Sequence, residues 1–502
     1  MHVPGPMIRV PHRRSAVVDL GSNSVRLVVF DGISRNPIPI FNEKAVLRLG
    51  RGLNATGRLN EEGVGLAMQV MDRFHAIARG MDADPFEILA TAAVRDATNG
   101  PEFVDALRTR MPGVPIRVLS GEEEADYSAT GVLCGLPEAD GLVADIGGGS
   151  LELIRLSAGR KLDACTLRLG VIRLNDRAEG DLQKARNIAD ADIAQVGWLD
   201  DVVGRPLYLV GGAFRALARL QIARTNYPLN IVHLFTLSGD GARDMTEWVI
   251  NTPRRALERV PGAPRKRLED VPFAAIVLRR LLRRLQPSSV VFCVDGLREG
   301  WYMRRVAASV AALDPQEAVA REMCRRLGRS ETLPDQLMNW TAPLFPDEST
   351  PQRRLRRAAC LLSDIGSYDH PEYRAEQTYL RVLRMQGVGF DHQARAFVAL
   401  TLAVRYEAEL GHDFLQPSRL LLTAEDFQRA LVLGLVLRLA YTVCGGTEEL
   451  LDGTWIKLSA GEVTLHLARG RGVVRGESVR RRLDRLAEAF ALPARIEEAG
   501  TA

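Results

Sequence analysis

One short pattern occurs twice in this 502-residue chain, and its repetition constrains the fold more than any other feature. Residues 17–27, VVDLGSNSVRL, and 143–153, VADIGGGSLEL, share V-x-D-(L/I)-G-x-x-S-x-x-L. Asp19 and Asp145 mark the same point of the two copies, a domain's length apart. Each copy reads as a strand, a tight turn rich in turn-forming residues, and a returning strand. A duplicated strand–Asp–Gly–turn–strand unit predicts two related α/β lobes.

The rest of the chain supports cycles of strand and helix. Residues 60–80 have helical apolar spacing, and Ile88–Ala90 reads as a short buried strand before TAAVRDATNG. Pro101–Arg110 is a second helix and Ile116–Leu119 a strand. SGEEEADYSATGVL then opens a helix, with Ser120 as its cap and three acids in the first turn, where they complement the helix dipole. In the second copy, Leu207–Val210 is a strand ending in GGAFRALARL, and Val290–Val294 a strand ending in DGLREG. Beyond residue 305 the pattern turns helical up to about 445. TWIKLSAGEVTLHL, residues 454–467, then predicts a hairpin, and an Arg-rich helix follows at 478–490. The expected domains are 1–128 and 129–305 for the two lobes, 306–445 for an all-α domain, and 446–502 for a small α/β unit.

Composition narrows the classes. Hydrophobic residues make up 46% and charged residues 25%, which excludes a disordered, collagen-like or membrane-bundle chain. The net charge of +4 argues against specific or bulk nucleic-acid binding. Of the 66 basic residues only Lys44, Lys161, Lys184, Lys266 and Lys457 are lysines. The bland reading of that bias is a GC-rich genome, and the sharper one is anion binding, because guanidinium forks match phosphate oxygens. Six cysteines stand singly with no CxxC pair, as expected of reduced thiols. The opening MHVPGPMIRVPHRRS lacks an apolar signal core, and Ala430–Cys444, broken by Arg438, is too short for a span and reads as a buried helix. A cytoplasmic protein without membrane attachment is the expectation.

Three glycine turns each end a strand: Gly21, Ser22, Asn23 and Ser24 in the first, Gly147, Gly148, Gly149 and Ser150 in the second, Gly211 and Gly212 in the third. Glycine lets backbone amides approach an anion closely, and Ser or Asn adds donors. Two such turns at matching places in a duplication predict phosphate-cradling hairpins facing each other across a cleft. Asp19 and Asp145 at the strand ends, and Glu152 on a returning strand, stand where Mg²⁺ is commonly held beside phosphate loops. The alternative for each aspartate is that it only caps its own turn. Arg95 is a candidate phosphate ligand, or one surface arginine among many. Glu122, Glu123 and Glu124 read by themselves as solvated charge at a helix start.

Six motifs in order, AVVDLGSNSVRLVVF, ATAAVRDATNG, VLSGEEEADYSATGV, VADIGGGSLELI, VGG and VDGLREG, make the first 305 residues resemble the exopolyphosphatase/guanosine pentaphosphate phosphohydrolase (Ppx/GppA) family. The resemblance implies two ribonuclease-H-like lobes of the actin/Hsp70/sugar-kinase superfamily with a phosphate cleft between them. It implies that Glu124, the acid before Ala in SGEEEA, is the general base that deprotonates an attacking water. It matches Asp145 and Glu152 to acids of the cleft that assist Mg²⁺. Ala213, where the family often has Thr or Ser, and Leu151, where Thr is common, depart from the pattern. GLREG, residues 296–300, matches a landmark with no role deduced for Arg298 or Glu299.

Residues 306–445 resemble the family's HD-like helical domain, but the expected pair reads Ser363-Asp364, and no histidine lies between His233 and His370. No HD metal site is therefore expected. Arg353, Arg354, Arg356 and Arg357 could guide a polyanion, or simply form a solvated helix face. The function expected is Mg²⁺-dependent hydrolysis of terminal phosphate from inorganic polyphosphate. The alternatives are hydrolysis of guanosine pentaphosphate to the tetraphosphate, and a polyphosphate- or alarmone-binding regulator with little catalysis. A homodimer is among the expectations.

Overall fold

The computed structural model describes residues 13–459 and 461–498. The chain divides into two compact units between Ala312 and Leu313.

The first unit contains two mixed sheets. In one, β1 (Arg14–Leu20), β2 (Ser24–Phe30), β3 (Pro39–Val46), β4 (Ala83–Ala90) and β5 (Ile116–Val118) lie in the order β3-β2-β1-β4-β5. In the other, β6 (Gly141–Ile146), β7 (Leu151–Ser157), β8 (Arg160–Leu167), β9 (Leu207–Val210), β10 (Phe235–Leu237) and β11 (Val290–Phe292) lie in the order β10-β11-β9-β6-β7-β8. The motif strand is antiparallel to its hairpin partner and parallel to the next strand inward in both: β1 to β2 and β4, β6 to β7 and β9. The duplication in sequence is thus a duplication of topology. β1 and β6 are central, so their side chains are buried on both faces and their sequences are nearly continuous apolar runs.

The helix Gly121–Gly135 is the hinge of the site. Ser120 Oγ accepts the amide of Glu123 at 3.1 Å, and the Glu123 carboxylate accepts the amide of Ser120 at 2.9 Å, a reciprocal cap that fixes where the helix starts. Its Ala125, Ala129 and Val132 pack with Val143, Ile154 and Val210 of the second sheet. A division at 128/129 would therefore cut through one helix, which the apolar spacing alone did not reveal. The GLREG segment packs against this same helix. A Cβ on Gly131 would sit 2.2 Å from the Gly296 carbonyl oxygen, and one on Gly300 would sit 1.9 Å from that of Tyr127. These glycines allow the helix Leu297–Met303 to lie against Gly121–Gly135, and that contact carries Arg298 to the cleft.

The second unit contains helices that include Pro315–Leu327, Thr350–Leu362, His392–Arg405 and Ala424–Cys444. A three-stranded sheet of β12 (Thr454–Leu458), β13 (Val463–Leu467) and β14 (Ala494–Glu498) follows, so this unit is not all-α. Ala424–Cys444 is longer than its sequence suggested, and long and apolar enough to cross a membrane. Its middle is instead buried against His392–Arg405 and Glu477–Glu488. The arginine run of Thr350–Leu362 is not a free cationic face. Arg356 is 1% exposed and pairs with Glu348, while Arg354 pairs with Asp314 and Arg357 with Glu317 and Asp335.

Candidate active site

The two glycine turns meet. A Cβ on Gly148 would lie 3.1 Å from Ser22 Cβ, and one on Gly149 would lie 2.9 Å from Ser22 Oγ. Each turn is closed by an equivalent hydrogen bond, from Gly21 N to Ser24 O at 3.1 Å and from Gly147 N to Ser150 O at 3.0 Å. The remaining turn carbonyls are taken by amides of later segments: Ser22 O by Gly50, Asn23 O by Leu47 and Arg48, Gly147 O by Val171, Gly148 O by Ile172 and Arg173. The amides of Ser22, Asn23, Gly148 and Gly149 find no acceptor among the described residues. A peptide dipole whose carbonyl end is tied outward presents its N–H inward, so the cleft between the turns is lined with unused donors. The third turn adds a helix N-terminus. Gly211 has φ 102°, and a Cβ there would meet the Ile146 carbonyl at 2.3 Å, so only glycine can start the helix Gly212–Arg224 at this point beside the cleft.

Strand register then sets the charge. Asp19, Arg26 and Lys44 form one row across β1, β2 and β3. Asp145, Glu152 and Thr166 form the equivalent row across β6, β7 and β8. The duplicated framework thus presents two cations in one lobe where the other presents a second acid. Arg215, Arg267 and Arg298 join Arg26 and Lys44 in lining the same cavity of about 160 Å³. Burial, and then repulsion from their neighbours in the cleft, pushes Lys44 down to about 8, Arg215 to about 9 and Arg26 to about 10, and burial lowers Arg267 as well. Cations crowded into one cleft are a standing field for a polyanion.

Glu124 is the one of three consecutive glutamates that turns inward. Glu122 is exposed, Glu123 is spent on the cap, and Glu124 is 6% exposed and lines the cavity. Burial pushes its carboxyl up to about 7. The guanidinium of Arg95 opposes that rise, while Asp145 and Asp19 add to it. Arg95 itself is not among the cavity-lining residues. It donates to Glu124, to the Leu119 carbonyl at 2.9 Å and to Asp96 at 3.3 Å. The expected phosphate ligand is therefore committed to the expected base.

Burial raises Asp19, Asp145 and Glu152 as well, and the neighbouring Glu124 and Asp145 raise Glu152 further. Ser128 donates to Asp145, whereas Glu152 Oε1 is buried without a hydrogen-bond partner among the described residues. Hard, mutually repelling carboxylate oxygens with one orphaned atom suit a divalent cation. Among the described residues no three acidic, His or Cys side chains converge on one point. That arrangement fits Mg²⁺, which keeps most of its waters and takes one or two carboxylates plus substrate oxygens.

Residues 28–308 match the Ppx/GppA phosphatase family, and residues 318–493 match the family description "Exopolyphosphatase, C-terminal". The chain belongs to the Ppx/GppA phosphatase family. Curated relatives of this family member are exopolyphosphatase 1 of Mycobacterium tuberculosis, 29% identical over 58% of this chain and 88% of the relative, and exopolyphosphatase 2 of the same species, 26% identical over 54% and 91%. The crystal structure of an exopolyphosphatase from Cytophaga hutchinsonii superposes with a TM-score of 0.53 at 23% identity, over 57% of this chain and 96% of that one. That likeness shows that the chain shares the fold of that exopolyphosphatase, and the first unit has two mixed sheets.

Of the residues expected from sequence, the three turns, Asp19, Glu124, Asp145 and Glu152 all line the Ppx/GppA cleft, and Arg95 stands behind it. Sequence reasoning missed Arg26, Lys44, Arg215 and Arg267 and gave Arg298 no role. Arg26 was within reach, since it aligns with Glu152 in the duplicated pattern, and Lys44 is one of only five lysines. Nothing in the sequence separates Arg215 or Arg267 from the other arginines.

Proposed function

We propose that this chain is an exopolyphosphatase that hydrolyses the terminal phosphoanhydride of inorganic polyphosphate and releases orthophosphate, with Mg²⁺ as its metal. The single observation that carries this reading is that one cavity is lined both by the acids Glu124, Asp145 and Glu152 and by the cations Arg26, Lys44, Arg215, Arg267 and Arg298. The terminal phosphoryl group sits between the two turns, where the free amides of Ser22, Asn23, Gly148 and Gly149 bind its oxygens. Glu124 takes a proton from a water as the water oxygen bonds to the terminal phosphorus. The bond from that phosphorus to the bridging oxygen breaks, and the shortened chain leaves with its new negative charge facing the arginines. Phosphoryl transfer of this kind needs chiefly positioning and charge neutralisation. Asp145, Glu152 and Asp19 would hold Mg²⁺, which supplies further neutralisation of phosphate charge when bound.

The curated relatives that the chain resembles are exopolyphosphatases, which supports an inorganic chain over guanosine pentaphosphate. A pure binder would not need a carboxylate poised near neutrality, which favours an enzyme over a regulator. In the second unit we read the helical part as HD-like without its metal chemistry. Asp364, at the place of the expected pair, is held bidentately by Arg329 at 2.7 and 2.8 Å. Six free thiols accord with a reducing cytoplasm.

The test is phosphate release by the purified full chain with Mg²⁺, given long polyphosphate and guanosine pentaphosphate in parallel. Faster release from polyphosphate is expected. Faster release from guanosine pentaphosphate would move the assignment to the nucleotide, and release from neither would leave a binder.

A further inference from the structure

The second unit buries a guanidinium whose inner nitrogen has no hydrogen-bond partner among the described residues. Arg405, the last residue of the helix His392–Arg405, has a side chain only 6% exposed. Its Nε is fully enclosed and finds no hydrogen-bond acceptor among the described residues. The nearest carboxylate oxygen is Asp364 Oδ1, 3.9 Å from Nη2. Asp364 is already committed to the side chain and amide of Arg329 and to Ser367. The guanidinium carbon also lies 4.3 and 3.9 Å from the ring centres of Tyr406 and Tyr441, which attract its charge but accept none of its in-plane N–H bonds. A buried cation without a hydrogen-bonded partner is costly, and an unsatisfied group of this kind calls for a ligand.

Arg405 lines a cavity of about 220 Å³ together with Arg329, Arg438, Tyr441, Thr442 and Gly445. Arg438 also has a buried Nε without a partner. Glu407, its carboxylate partner, is shared with Arg482. Burial and the nearby charges of Arg405, Arg374 and Arg481 push Arg438 down to about 10. Cations therefore outnumber carboxylates around the cavity. Planar forks converging on one space match the oxygens of a phosphate group, which can accept several donors at once.

We propose that the second unit carries a phosphate-binding site of its own, floored by Arg405 and walled by Arg438 and Arg329. It does not depend on the reading of the cleft in the first unit. The occupant is a phosphate group, either free orthophosphate or one link of a polyphosphate chain.

Hydrogen–deuterium exchange of the full chain, read by peptide, tests this with sodium orthophosphate and with tripolyphosphate. Sodium chloride at matched ionic strength serves as the control. Slowed exchange across 397–405 and 438–446 with either probe is the expected result. Protection by both identifies free phosphate as sufficient, and protection by tripolyphosphate alone identifies a chain segment. In Arg405→Gln and in Arg438→Gln the phosphate concentration needed for this protection should rise at least about 10-fold, as expected for loss of a charge-assisted fork. Protection of 145–152 in the first unit should stay unchanged. Absence of protection in the second unit of the wild-type chain, or equal protection by sodium chloride, overturns the proposal. So does protection that survives both substitutions. The wild-type measurement decides the matter even if Arg405→Gln does not fold, and Arg438→Gln, at a more exposed position, provides the second variant.

Discussion

Replacing Glu124 by Gln isolates the proton-accepting step. Glutamine keeps the length of the side chain and can still accept the Arg95 hydrogen bond, so the local packing should survive. It cannot take a proton from water. General-base catalysis contributes ~10²–10⁴-fold, about 3–5 kcal/mol of transition-state stabilisation, and kcat should fall by that factor with KM little changed. The structure adds a pH signature. Burial, Asp145 and Asp19 raise the wild-type carboxyl to about 7 against the opposing pull of Arg95. The base is active only when ionised, so activity should rise with pH through about 7 and fall roughly tenfold per unit below it. Above about 8, loss of the proton on Lys44 should weaken capture of the polyanion and raise KM. The assay is steady-state phosphate release from pH 5.5 to 9 at constant ionic strength, with Mg²⁺ saturating. Wild-type-like turnover in Glu124→Gln would refute the assignment of the base. An acid limb unchanged in position and slope in that variant would refute the link between the limb and this carboxyl.

Arg95→Gln removes the largest influence that holds Glu124 down, so the acid limb should move to higher pH and much of the lost activity should return in alkaline buffer. If KM rises instead with the limb unmoved, Arg95 contacts substrate directly. Arg267→Ala should raise KM for polyphosphate ~10-fold or more, the worth of a charge-assisted contact, and flatten its salt dependence while kcat holds; an unchanged KM would remove Arg267 from the substrate path. Gly300→Ala forces a methyl against the Tyr127 carbonyl, so calorimetry of the full chain should show destabilisation of ~1–3 kcal/mol, and an unchanged melting temperature would show that the two helices can separate freely.

How much of this was legible in the sequence depends on the range of the interactions involved. The hairpin turns, their aspartates and the capping of Gly121–Gly135 are local. They follow from glycine, serine and acid placed within a few residues, and a duplicated local pattern announces a duplicated fold. Glu124 could be singled out by resemblance, but its inward direction follows from the cap. Once Glu123 is fixed on Ser120, the next residue must face the second sheet. The cation row was half legible, because Arg26 stands in register with Asp19 through a two-strand hairpin.

Arg215, Arg267 and Arg298 reach the cleft only through tertiary packing. Arg298 arrives because glycines at 131 and 300 let two helices, distant in sequence, come into backbone contact. The same limit hid the fate of the other arginines. Sequence cannot tell Arg356, neutralised by Glu348, from Arg405, buried with its Nε unpartnered among the described residues, because both are one arginine on an apolar helix face. Sequence determined the chemistry available at each turn and the repeat that builds two lobes. Tertiary structure decided which charges meet, because the energy of a charge depends on its distance from partners and on the water excluded around it.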